Sequence, residues 1–533
     1  MKRRDVLAVL GSAAALAPLR GWSQADAAMD ATARCFGSIT ELRAALAAGA
    51  LTSAQLVADY FDRIARLDHS GPEYRSVLAL NPAAVEAANA LDAERRAGRL
   101  RGPLHGIPIL LKDNIESADP LPTTAGSLAL ARSVRGVDAP LVARLRAAGA
   151  IILGKANLSE WANFRSTHST SGWSAVGGQT RNAHDRLRNP SGSSSGSAVA
   201  TALGFCAAAI GSETDGSILA PASLNGIVGL KPTVGYVSGR GIVPLSPRQD
   251  TAGPMGRSVA DVALLASVMG ERPLGFAQRG GELEGFRLKG LRIGVMPASP
   301  GTHPDAVRQF ASVRALLEAQ GAVLVDLHPP AAFEQMGSAE TTALLYEFKS
   351  AINAYLSGLD PQQVPSRTLA ALIEFNVSHA SQEMPHFGQE LFEQAQACGG
   401  LQDRKYLAAR ATLLRCADVA GLAALLDGHR VEVLLSVGNG PADVIDPVWG
   451  DRPGDGGWPS MASAAAIAGY PSLTVPMGLV RGLPVGFVLV GRRFQEGLLL
   501  QVGHAFERLT AAQRLPLAAA SHADGAGCAS QRG

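Results

Sequence analysis

Two clusters of serine and glycine, PSGSSSGSA at 190–198 and GSETDGSIL at 211–219, bracket a run of apolar residues from Ala198 to Ile210. A flexible Gly/Ser linker has polar, unpatterned flanks, whereas Val199, Leu203, Phe205 and Ile210 follow the first cluster at once. The two loops therefore sit on a core, and the apolar run between them reads as a buried helix. Glycine lets backbone N–H groups turn toward a ligand, and serine supplies small hydroxyls that a nearby base can make nucleophilic.

The rest of the chain supplies the core these loops need. Of 533 residues, 47% are hydrophobic and 18% charged, enough for one large α/β domain or two to three smaller ones. Lys2, Arg3, Arg4 and Arg20 against Asp5 and Asp26 account for the whole formal charge of +2, so the remainder is neutral. That balance excludes a basic nucleic-acid surface and a polybasic membrane anchor.

The opening MKRRDVLAVLGSAAALAPL has a basic start and an apolar run over 6–19, shorter than the roughly 20 residues that span a bilayer. It reads as a signal peptide over 1–27. Arg3-Arg4 resembles a twin-arginine export signal, and Ala25-Asp26-Ala27 offers a small-residue cleavage site. The expected location is periplasmic or secreted, with no membrane anchor after signal removal. Cys35, Cys206, Cys398, Cys416 and Cys528 are widely spaced with no C-x-x-C, which indicates neither a zinc site nor a dense disulfide framework; one bridge between Cys398 and Cys416 stays open.

Periodicity then sketches the elements. Leu56, Val57, Tyr60, Phe61, Ile64 and Leu67 share one helical face, with Thr52 or Ser53 as N-cap. Further helices are predicted over 81–98, 138–148, 258–269, 305–320 and 496–509. GIPILLKDNI at 106–115 is an unbroken apolar run ending in charge, the pattern of a strand covered on both faces, and strands also start at Ile151, Leu291, Ala322, Val431, Pro471 and Pro484. Alternation of this kind argues for an α/β sheet. Residues 329–420 read as a helical insertion beside it, a wall for a substrate pocket, and 516–533 as a disordered tail.

Three positions stand out. Lys112 ends the 106–115 strand in a chain with seven lysines; burial disfavours the charged amine and so makes a base near neutral pH, although a strand-end lysine can also snorkel to water. Ser217 lies in Thr214-Asp215-Gly216-Ser217, a turn able to aim consecutive N–H groups at an oxyanion. Ser193, in GSSSG, could relay a proton between Ser217 and an amine, or be a turn or cap residue. GSSSG also fits the G-x-S-x-G elbow, with Ser194 as nucleophile and a histidine such as His504, but an elbow follows a strand and DRLRNPS before it is polar and broken by proline. No lysine has a serine three residues before it, and the eleven histidines show no H-E-x-x-H.

The central stretch resembles the amidase signature family. The likeness extends through Thr52-Ser53, GIPILLKDN, GGQTRN, GIVGLKPTVG, DTAGPMGRSVAD, AGYPSLTVPMG and GLPVGF, covering about residues 39–509. It implies a large mixed twisted β-sheet covered by helices on both faces, forming one amidase domain over 28–515. It also implies Lys112 as base, Ser193 as bridging serine and Ser217 as acylated nucleophile. Thr214, Asp215, Gly216 and Ser217 stand where the family's oxyanion-hole amides lie, and a cis peptide is expected just before Ser193. GGQTRN, GSSSGSA and ETDGSI look most like the peptide amidase branch, which removes ammonia from C-terminal carboxamides of peptides.

The chain departs from the family at Ser191, Ser195 and Asp215, where glycines are usual, and at Leu219, where arginine is frequent. The implied activity is hydrolysis of a peptide or small acyl amide by a Ser-Ser-Lys triad, with no cofactor and no metal, in a monomer or homodimer. Alternatives with the same signature are a glutamine-hydrolysing amidotransferase subunit for tRNA charging and an arylacylamidase.

Overall fold

A computed structural model describes residues 30–276, 282–451 and 460–510. The signal reading over 1–27, Cys528 and the tail over 516–533 lie outside the described residues. Thirteen strands are described: β1 (Val77–Leu80), β2 (Pro108–Lys112), β3 (Ile151–Ala156), β4 (Trp173–Ser174), β5 (Gly178–Gln179), β6 (Ala208–Glu213), β7 (Val228–Lys231), β8 (Thr251–Gly256), β9 (Arg292–Val295), β10 (Val323–Asp326), β11 (Val433–Val437), β12 (Ser472–Val480) and β13 (Leu483–Gly491). Eleven of them form one sheet in the order β1-β3-β2-β6-β8-β7-β12-β13-β11-β9-β10, while β4 and β5 make a separate ribbon.

The sheet is mixed. β2 runs parallel to both neighbours, β3 and β6, and β9 is parallel to β10 and β11, with antiparallel pairings between these two ends. Consecutive residues of a strand point to opposite faces, and Ile109, Leu110 and Leu111 are all fully buried, so helices cover both sides. This is the α/β architecture that the unbroken apolar run of β2 implied.

Capping and periodicity place the helices. Thr52 accepts from the Gln55 N–H ahead of helix Ser53–Leu67, and Ser258 accepts from the Asp261 N–H ahead of helix Val259–Met269. The helix foreseen from residue 81 begins at Ala84; Asn81 forms the turn before it, its Oδ1 accepting from the Ala83 N–H while Nδ2 donates to Asp119 and to the Ile152 carbonyl. Between β10 and β11 the chain is helical from Ala331 to Gly428, built around the long helix Met336–Ser357. Cys35, Cys206, Cys398 and Cys416 are free thiols.

One expectation fails in part. The apolar run after the first serine cluster is not one helix: helix Ser195–Ala202 stops, Gly204 turns at φ +66°, and Ala208 to Ile210 begin β6. Alternation cannot reveal such a strand, since both of its faces are covered and small residues fit equally well in a buried helix.

Candidate active site

The register of β2 against its parallel neighbours carries Lys112 to the strand's C-terminal end, the side of an open α/β sheet on which ligands bind. Lys112 is fully buried. Its Nζ donates to Ser193 Oγ at 2.7 Å, to the Ser212 carbonyl at 3.1 Å and to Ser212 Oγ at 3.0 Å. Burial pushes the ammonium down to about 7, opposed by the charges of Glu213 and Asp250. Among the described residues no carboxylate lies within ion-pair distance of it.

Ser193 follows a cis Gly192–Ser193 peptide, where the family resemblance put one. Its carbonyl accepts from the Ser159 N–H at 3.1 Å. Gly192 and Gly196 are needed for close packing: a Cβ on Gly192 would strike Ser159 Oγ, and one on Gly196 would strike the Ser76 carbonyl. Ser191, in a glycine position of the family, takes φ +60° and donates its N–H to Asn189 Oδ1 at 2.7 Å.

Ser217 closes the turn that leaves β6. Gly216 provides φ +75°, a conformation a Cβ would oppose. The Ser217 carbonyl accepts from the Ser194 N–H at 3.0 Å, which ties the two serine loops together. Below the turn, the Glu213 carboxylate accepts from the Ile218 and Leu219 N–H groups at 2.7 and 3.0 Å. Beside it, Thr214 Oγ1 donates to Asp250 at 2.6 Å. Asp250 also accepts from the Leu245 and Ser246 N–H groups, and its burial raises it to about 6.

The Ser217 N–H donates to no protein group among the described residues, and the residue as a whole keeps 7% of its exposure. The structure thus joins Lys112 to Ser193 directly and joins the Ser193 loop to the Ser217 turn through the backbone. No hydrogen bond links the hydroxyls of Ser193 and Ser217.

The elbow alternative finds no support. No strand leads directly into Ser194; its hydroxyl is fully buried and donates to the Ser212 carbonyl at 3.0 Å. His504 instead faces Glu284 and Glu507 on the closing helix. Sequence reasoning missed Ser212 and Asn114, whose Nδ2 donates to Ser212 Oγ at 2.9 Å, although both lie inside motifs it had read. It missed Asp250 as well.

A buried amine at the carboxyl end of a strand lies where ligands bind in open α/β sheets, and likeness to known proteins identifies the class. The family model described as Amidase matches residues 55–420, so the chain belongs to the amidase family, and it is an amide-hydrolysing enzyme. A probable amidase of Arabidopsis thaliana is 38% identical over 501 residues, covering 90% of this chain and 91% of that protein. The crystal structure of native peptide amidase from Stenotrophomonas maltophilia superposes with a TM-score of 0.82 at 45% identity, covering 90% of this chain and 98% of the other. A glutamyl-tRNA(Gln) amidotransferase subunit of Symbiobacterium thermophilum is 33% identical over 504 residues, covering 89% of this chain and 96% of that protein.

Proposed function

We propose that this protein hydrolyses a carboxamide, at the C terminus of a peptide or on a small acyl group, to a carboxylate and ammonia or amine through an acyl-enzyme on Ser217. The observation that carries the reading is the buried Lys112 amine, hydrogen-bonded to Ser193 and with no carboxylate at ion-pair distance among the described residues. Neutral Lys112 takes the proton of Ser193, which takes the proton of Ser217 as Ser217 Oγ bonds to the amide carbon. The Ser217 hydroxyl turns toward Ser193 for this step. The N–H groups of the 214–217 turn receive the oxyanion, the proton returns through Ser193 to the leaving nitrogen as the C–N bond breaks, and water then hydrolyses the ester.

The likeness to a peptide amidase supports a peptide carboxamide as substrate, while the amidotransferase relative supports glutamine as the alternative. Ammonia release from a peptide carboxamide, free glutamine and an aryl acylamide separates these and the arylacylamidase reading. Faster turnover of glutamine, with co-purifying subunits, would favour the amidotransferase. A fluorophosphonate should label the enzyme and fail to label Ser217→Ala; labelling that persists on Ser194 would remove Ser217 as nucleophile. The twin-arginine opening supports export; recovery of the chain only from the cytoplasmic fraction would remove the export reading.

A further inference from the structure

Two lines of hydrogen bonds run from helix Met336–Ser357 to Thr214, at the start of the Ser217 turn, and both pass through loop 245–250. Glu340 and Glu347 stand seven residues apart on that helix, about two turns, and so present their carboxylates on one face. Glu347 is 3% exposed and gathers four groups: the Tyr406 hydroxyl at 2.8 Å, the Arg248 and Arg410 guanidinium groups at 3.4 and 3.7 Å, and Ser246 Oγ, which donates to its Oε2. Asp250 carries this line onward. Its Oδ2 accepts from the Leu245 and Ser246 N–H groups at 2.8 and 2.9 Å, and its Oδ1 accepts from Thr214 Oγ1 at 2.6 Å. The second line is shorter: Gln249, fully buried, donates Nε2 to Glu340 Oε1 at 2.7 Å and to the Thr214 carbonyl at 3.4 Å.

The loop between these ends is closed on itself. The Gln249 and Asp250 N–H groups both donate to the Ser246 carbonyl, at 3.0 and 2.8 Å, and with the Asp250 carboxylate on two further N–H groups the loop transmits a displacement rather than absorbing it. Thr214 is therefore held at its hydroxyl and at its carbonyl. A peptide is planar, so holding the Thr214 carbonyl fixes the plane of the 214–215 peptide. Catalytic groups displaced by about 1 Å can lose two orders of magnitude in rate, which makes the position of this turn worth bracing.

Resting on the proposed Ser217 chemistry, we propose that loop 245–250 is a strut through which the helical segment between β10 and β11 holds the Ser217 turn in register with Lys112 and Ser193. Glu347, Ser246 and Asp250 are its positioning residues, and they act through Thr214.

Ser246→Ala cuts the first line in its middle and leaves Glu347 with Tyr406 and both arginines; Thr214→Val cuts the same line at the turn. With N-acetyl-leucinamide as substrate, each should lower kcat and kcat/KM by one common factor, about three- to tenfold, with KM unchanged, because the turn is needed in the transition state. Cuts in one line are not independent, so the double variant should lose no more than about twofold beyond the worse single variant. Losses that multiply, a change confined to KM, or a fall in thermal stability with kcat of the folded enzyme intact each overturn the strut. Where Ser246→Ala does not fold, Tyr406→Phe, which frees Glu347 from the far side, takes its place in the cycle and is judged by the same outcomes. Hydrolysis that disappears in Ser217→Ala upholds the reaction itself, so failure of the strut is told apart from failure of the mechanism.

Discussion

Two lysines stand buried on neighbouring strands of one sheet, and a carboxylate at ion-pair distance from one of them alone sets them apart among the described residues. Lys155, in β3, pairs in register with Leu111, while Lys112 pairs with Ala156. Strand alternation therefore sends the two amines to opposite faces. Lys155 Nζ donates to the Ile115 carbonyl at 2.6 Å and to Thr123 Oγ1 at 2.8 Å, with Asp113 Oδ1 at 3.6 Å. Lys112 meets a similar set of hydroxyls and a carbonyl, and no carboxylate. Burial lowers both, but Asp113 pulls Lys155 back toward the charged form. What would suit Lys112 to the proposed role of base is the acid that its pocket lacks at ion-pair distance.

The largest expected effect breaks this pairing outright. Lys112→Met keeps most of the volume and removes the proton acceptor, which costs turnover about 10²–10⁴-fold, while thermal unfolding moves little because no buried charge is orphaned. Lys155→Met should behave in the opposite way, losing about 3–5 kcal/mol of stability through the abandoned Asp113, with turnover by the remaining folded enzyme far less affected. Adding Asp113→Asn to Lys155→Met should restore part of that stability. If Lys112→Met retained near-native ammonia release, the contrast between the two pockets would have no catalytic meaning.

A smaller effect follows from protonation. In the proposed mechanism Lys112 works uncharged, so kcat/KM should rise with pH through about 7 and level off above it. Asp250 holds Lys112 up by its charge, so Asp250→Asn should move that limb to lower pH by a fraction of a unit. A limb displaced to higher pH would show that Asp250 acts in some other way. Lys155→Met should leave the limb where it is, since its amine lies on the other face.

Much of this site was legible because its parts are local. An apolar run ending in Lys112, and serines set among glycines, are readable without the fold, and several blocks in family order located their partners. The segment over 203–210 was not legible as turn plus strand: alanines covered on both sides carry no period. Ser212 and Asp250 were missed for a different reason. Their significance comes from pairing across β6 and β8 and from loop 245–250 folding back onto Thr214, contacts that have no trace in local spacing. Lys155 also lies near the end of a buried strand, and the sheet face it occupies, with Asp113 beside it, separates it from Lys112.

The smallest effect sharpens the comparison most, because it deletes the same kind of group from each pocket. Ser212→Ala removes a hydroxyl that accepts from Lys112 and from Asn114, but the Ser212 carbonyl and Ser194 still brace the amine's surroundings. Losing one such bond is worth about 1 kcal/mol, so kcat/KM should fall roughly five- to tenfold. Removing an acceptor of the charged amine also favours the neutral form, so the acid limb should shift slightly downward. Thr123→Val takes the equivalent hydroxyl from Lys155, where Asp113 favours the charged amine, and should cost about 1.5–3 kcal/mol of stability with the pH profile in place. Kinetics and denaturant unfolding on both variants decide the matter: if Ser212→Ala cost stability rather than turnover, and Thr123→Val the reverse, the roles assigned to the two lysine pockets would have to be exchanged.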